Sequence, residues 1–144
     1  MSPCELCTTD GGLLVARHSD FRVIRAVDAS FPAFYRVIWN EHLAEWTDLP
    51  PAQRSLCMQA VAAVETVLRE ALRPTKINLA SLGNVVPHLH WHVIARFDWD
   101  SHFPQPVWGS AQRGVEPPAA ARLPLPLADL DARVAAALAG LAGH

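Results

Sequence analysis

His88-Leu89-His90-Trp91-His92-Val93-Ile94 decides how this chain is read. Three imidazoles alternate with apolar residues, the period of two that a half-buried β-strand shows. On such a strand His88, His90 and His92 project from one face, while Leu89, Trp91 and Val93 project from the other. Successive imidazoles then stand about 6–7 Å apart, from ~3.3 Å of rise per residue. With 7 His in 144 residues, chance places a His-x-His-x-His in about 2% of such chains, so the row reads as a site. It suits a metal or an extended anion such as a polyphosphate. Reach argues against one ion held by all three, because the first and third stand roughly 13 Å apart on a straight strand and the bonds are ~2.1 Å.

Phosphate chemistry needs a nucleophile, a proton donor to the leaving group, and further donors around the anion. An imidazole with its ordinary pKa of ~6.5 is largely unprotonated at neutral pH and can attack phosphorus. The resulting phosphoramidate is then resolved by water or another acceptor, while neighbouring donors offset the charge that develops. Gly83-Asn84 precedes the row. Its glycine lets backbone approach a ligand closely, and its amide can donate to an anion.

Working outward, residues 76–82 read as a strand, and Gly83-Asn84 as the hairpin returning the chain into a strand over 88–96. Residues 51–73 read as a long helix. Cys57, Ala60, Val61, Val64, Val67, Leu68, Ala71 and Leu72 form one stripe, Pro51 suits the first turn and Pro74 stops it. Upstream, 13–17, 21–27 and 34–39 read as strands, with a turn at His18-Ser19-Asp20. The buried face of 21–27 is ambiguous. A short helical turn is expected near 43–46. The pattern gives an α+β domain with a mainly antiparallel five-stranded sheet and one long helix. Residues 1–110 form the catalytic domain. Residues 111–144 form a Pro/Ala-rich extension ending in a helix over 127–141 that starts near Asp129.

Hydrophobic residues make up 51% of the chain and charged ones 18%, with a formal net charge of −2. That leaves no basic footprint for a nucleic-acid partner. No stretch approaches the ~18 apolar residues of a membrane span. The N-terminus lacks a signal-peptide pattern, so the expected location is cytoplasmic. Three cysteines are a poor fit to a disulfide framework, and Cys57 reads as a small core residue. Cys4-Glu5-Leu6-Cys7 is a C-x-x-C. A redox role needs a preceding strand and a helix starting at the motif. As half of a zinc site it needs two further ligands, for which His42 and His88 are candidates. His18, His102 and His144 read as ordinary surface or core histidines.

The stretch from Gly83 to Ile94 resembles the signature of the histidine triad (HIT) superfamily of nucleotide hydrolases and transferases. That signature is His-φ-His-φ-His-φ-φ (φ apolar), preceded by a Gly-Gln-like pair. The resemblance implies a HIT-like fold and hydrolysis of a nucleoside phosphoanhydride or phosphoramidate through a covalent nucleotidyl-histidine intermediate. His90 is the implied nucleophile, and His92 contacts the phosphate and assists the leaving group. His88 completes the triad, and Asn78, Gly83 and Asn84 are phosphate contacts. Asn84 stands where the family more often has Gln, and Val85 replaces a common Ser or Thr. Zinc-bearing members combine a C-x-x-C, a mid-chain His and the first triad His, which implies a structural zinc at Cys4, Cys7, His42 and His88. No cofactor is needed for the chemical step. Family members are commonly homodimers joined into a continuous sheet, which implies that Trp108 and the tail beyond it reach the partner's site. Nucleotidyl transfer, a non-catalytic nucleotide-binding module and a zinc-stabilised interaction domain are the alternatives.

Overall fold

A computed structural model describes residues 4–141. After one helical turn, α1 (Glu5–Thr8), come β1 (Leu13–Arg17), β2 (Phe21–Arg25) and β3 (Phe34–Trp39). A 3-10 turn (Trp46–Asp48) leads into α2 (Pro51–Leu72), followed by β4 (Lys76–Ala80) and β5 (His90–Arg96). A second 3-10 turn (Ala119–Arg122) precedes α3 (Leu127–Ala139). The five strands form one sheet in the order β1-β2-β3-β5-β4, and every neighbouring pair is antiparallel. No helix among the described residues is long and apolar enough to cross a membrane.

One face of the sheet carries Phe21, Val23, Tyr35, Val37, Val93 and Ala95, all buried with the stripe of α2 (Cys57, Ala60, Val61, Val64, Leu68, Leu72) and with Leu130, Val134 and Leu138 of α3. Burial pushes the Cys57 thiol up to about 12, which fits its core role. Tyr35 donates to Asp131 of α3 at 2.5 Å, and Arg25 reaches the same carboxylate at 3.0 and 3.2 Å, tying the C-terminal helix to the strands.

The opposite face is covered too, which explains the ambiguous pattern of β2. Ile24 and Ile38 are buried under Leu6 of the N-terminal segment. Gly11 makes that contact possible. It sits at φ 90°, and a Cβ there would stand 2.7 Å from Leu6 and 3.0 Å from Ile38. Arg22 fastens the segment. Its guanidinium donates to the carbonyls of Leu6 (2.6 Å), Thr9 (3.0 Å) and Asp10 (3.0 Å) and to Oδ1 of Asn40 (3.1 Å).

Several boundaries differ from expectation. The strand holding the triad begins at His90, so His88 precedes it, and β4 ends at Ala80. Residues 81–89 therefore make a long connection in place of a tight hairpin, with Gly83 at φ 81°. The helical turn lies at Trp46–Asp48, and α3 starts at Leu127. α2 stops at Leu72 because Arg73 turns left-handed (φ 49°) ahead of Pro74. His144 lies outside the described residues.

Candidate active site and metal cluster

The covered face opens between the N-terminal segment and the 81–89 connection into a cleft of about 390 Å³. His90 and His92 line it from β5, Arg36 from β3, and Gly83 and Asn84 from the connection, with Trp108 at the rim. His90 and His92 point to the same side of β5, and their rings meet edge to face with centroids 5.0 Å apart. Nδ1 of His90 lies 2.6 Å from the carbonyl oxygen of His88. A carbonyl only accepts, so Nδ1 carries the proton, and Nε2 is left with its lone pair. That is the arrangement a nitrogen nucleophile requires.

His92 is buried. Burial, and then the neighbouring His90 and Arg36 charges, depress its pKa to about 3, so it is neutral at physiological pH. Arg36 stands opposite His92 in the β3–β5 register and donates from Nε to Nδ1 of His92 at 3.3 Å. Nδ1 is therefore the acceptor and Nε2 carries the proton, so His92 presents an N–H donor to an anion in the cleft. Edge-to-face contacts with Phe34 (5.4 Å) and Trp108 (5.1 Å) complete its surroundings.

His88 faces away from the cleft chemistry. It is 1% exposed, and Nε2 donates to the carbonyl of Trp39 at 2.6 Å, leaving Nδ1 as an electron-pair donor. Nδ1 lies 3.5 Å from Sγ of Cys4, 3.5 Å from Sγ of Cys7 and 3.1 Å from Nδ1 of His42. Cys7 and His42 are 3.3 Å apart, and all four donor atoms lie within 4.8 Å of one another. The edges of a zinc tetrahedron with these ligands are about 3.4–3.8 Å, so two thiols and two imidazoles stand where one ion can reach all of them. The Trp39 carbonyl is the outer partner that fixes a ligating imidazole. The cluster can hold a metal ion.

Of the residues expected to contact phosphate, Gly83, Asn84 and His92 come together in the cleft. Asn78 does not. It projects from the same face, opposite Ile94, but its Oδ1 accepts from Arg96 at 2.9 Å. Arg96 is itself buried and doubly bonded to Asp100. His18 accepts from the Asp20 amide and stacks on Phe21, and His102 contacts Ser101 and Phe31, each outside the cleft. Trp108 stands against its own chain's His92. Arg36 was missed by sequence reasoning, because its place beside His92 depends on the pairing of β3 with β5, which no local pattern announces.

The HIT domain family matches residues 12–99. The chain belongs to the HIT family. Solved HIT structures resemble it over nearly its whole length. A histidine triad protein from Marinobacter aquaeolei VT8 is 26% identical, with TM-score 0.73, covering 98% of each chain. One from Bradyrhizobium japonicum is 26% identical, with TM-score 0.70, covering 96% of this chain and 95% of that one. One from Sinorhizobium meliloti 1021 is 27% identical, with TM-score 0.66, covering 80% and 86%. No curated protein matches in sequence. HIT membership supports a nucleotide-binding, hydrolase or transferase kind of function.

Proposed function

We propose that this HIT protein hydrolyses a nucleoside phosphoanhydride or phosphoramidate through a covalent nucleotidyl-His90 intermediate. The observation that carries the reading is the 2.6 Å hydrogen bond from His90 Nδ1 to the His88 carbonyl, which leaves Nε2 as a directed lone pair beside the cleft. Nε2 of His90 attacks the phosphorus next to the nucleoside. The P–O or P–N bond to the leaving group breaks, a phosphate departing as its anion and an amine with a proton drawn from solvent, while the Nε2–H of His92 donates a hydrogen bond to the departing atom. Gly83 and Asn84, beside the same cleft, supply donors to the non-bridging oxygens. Water then attacks the phosphorus, the P–Nε2 bond of His90 breaks, and a proton of that water leaves to solvent. The products are a nucleoside monophosphate and the released phosphate or amine.

His90→Ala should abolish turnover while nucleotide binding persists. Mass spectrometry of the parent protein, quenched during turnover under alkaline denaturing conditions that spare the acid-labile P–N bond, should find the nucleotidyl adduct on His90. Undiminished turnover in the variant would rule out the mechanism, and acceptors other than water among the products would turn the reading to nucleotidyl transfer.

Cys4, Cys7, His42 and His88 would hold a structural zinc, the ion that two thiolates and two imidazoles favour. Such an ion would supply no chemistry to the reaction and would pin the N-terminal segment beside His88. Elemental analysis should find one zinc per chain, falling well below that in Cys4→Ser/Cys7→Ser. Absence of zinc from the parent protein would sink this part. A homodimer sharing one continuous sheet through an edge strand is the assembly we propose.

A further inference from the structure

Arg36 is a half-buried cation that the mechanism above leaves largely unused. Among the described residues no carboxylate lies within ion-pair distance of it, although the long-range fields of Glu5 and Asp28 reach it. Among the described residues, the other buried or half-buried arginines each hold an oxygen: Arg22 donates to four, Arg25 meets the Asp131 carboxylate through Nε, Arg54 takes the Leu49 carbonyl, and Arg96 takes Asp100, Asn78 and the Gln105 carbonyl. Arg36 spends only Nε, on His92, and its guanidinium carbon lies 5.0 Å over the Phe34 ring. Among the described residues its two terminal nitrogens have no hydrogen-bond partner, and the residue lines the cleft. A guanidinium removed from bulk water with four N–H bonds unspent is built to receive an anion.

Its position says which anion. Along β3, Ile38 lies opposite His90, Arg36 opposite His92 and Phe34 opposite Ile94. The guanidinium leans onto Phe34, away from Ile38, so it stands past His92 as seen from the nucleophile. An in-line attack by His90 drives the leaving group away from His90, towards the side where His92 and Arg36 stand.

We propose that Arg36 is a specificity-determining residue that selects substrates whose leaving group is itself a phosphate or polyphosphate. This rests on the reading of the cleft as a phosphoryl-transfer site and refines it. The free edge of the fork meets the non-bridging oxygens of the departing phosphate, while Nε keeps His92 in the tautomer that donates a hydrogen bond from Nε2 to the bridging oxygen. A leaving amine offers the fork no oxygen to bind, so a phosphoramidate gains only the tautomer effect.

The two contributions separate in one comparison. Arg36→Gln and Arg36→Lys are assayed with diadenosine tetraphosphate and with adenosine 5′-phosphoramidate. The ratio of kcat/KM for the anhydride over the phosphoramidate should fall at least tenfold in Arg36→Gln, as expected for a lost charge-assisted contact. It should fall less in Arg36→Lys, which keeps the charge. A smaller change of ratio in Arg36→Gln, with both substrates slowed alike, reduces Arg36 to a positioning residue for His92 and overturns the proposal. Calorimetric titration with inorganic pyrophosphate gives a readout independent of turnover. Parent protein should bind it at least tenfold more tightly than Arg36→Gln at matched thermal stability, and equal affinities overturn the proposal. A parent protein that turns over neither nucleotide yet binds pyrophosphate through Arg36 would fail the hydrolase reading and leave the anion site standing.

Discussion

Three histidines two residues apart do three different jobs, and each job is set by what one nitrogen touches. Nε2 of His88 is committed to a carbonyl, Nδ1 of His90 to another, and Nδ1 of His92 to a guanidinium. His92 has the clearest thermodynamic consequence. Its folded pKa of about 3 lies below the ordinary 6.5, so on acidification the unfolded chain takes the proton first. The stability that His92 contributes is complete above about pH 6.5 and is lost as pH falls towards 3. Urea unfolding midpoints of parent protein should drop more between pH 7 and pH 4 than those of His92→Phe, which has no proton to take up. Parallel drops would contradict the burial argument. The sequence announced His90 and His92 because a His-x-His-x-His row is rare by chance. It did not announce Arg36, because the pairing of β3 with β5 spans the whole of α2 and β4, and register across such a distance has no local signal.

At the scale of elements, the stripe on α2 and the stops at Pro51 and Pro74 were legible because helical packing writes its period directly into the sequence. The segment after β5 was not. It looks like loop broken by prolines, yet a buried ion pair organises it. Asp100 accepts from Arg96 at 2.8 and 3.0 Å and from the amides of Phe97 (3.1 Å), His102 (3.1 Å) and Phe103 (2.8 Å), all without regular secondary structure. Arg96 also takes the Gln105 carbonyl, and this brings Val107 onto Phe34 and Trp108 onto His92. Asp100→Asn keeps the shape and strands the buried guanidinium. Breaking such a pair costs about 3–5 kcal/mol, which for a domain of this length lowers the melting midpoint by ~10 °C. Differential scanning calorimetry checks it, and a midpoint within 2 °C of parent would show that the pair is dispensable. Asn78 belongs to this network through Arg96, which explains why an expected phosphate contact does not reach the cleft.

Across the described residues, the sheet has α2 and α3 on one side and the cleft with its histidines on the other. The five strands and their antiparallel order could be anticipated, because alternation, turn residues and one strong motif all agreed. The second layer could not be, since the residues covering the chemical face come from α1 and from irregular chain, neither of which has a period to read. That layer holds Cys4 and Cys7 against His42 and His88 through Leu6 on Ile24 and Ile38 and through the four bonds of Arg22. Small zinc modules usually condense around their metal, and uptake then carries a heat-capacity change from newly buried surface. Here Leu6 on two isoleucines and Arg22 on three carbonyls and an amide oxygen give the segment contacts of its own. Titrating zinc into metal-stripped protein should therefore release thiol protons, visible as a buffer-dependent enthalpy, with a heat-capacity change near zero. A large negative value would mean that the N-terminus folds only when the ion arrives.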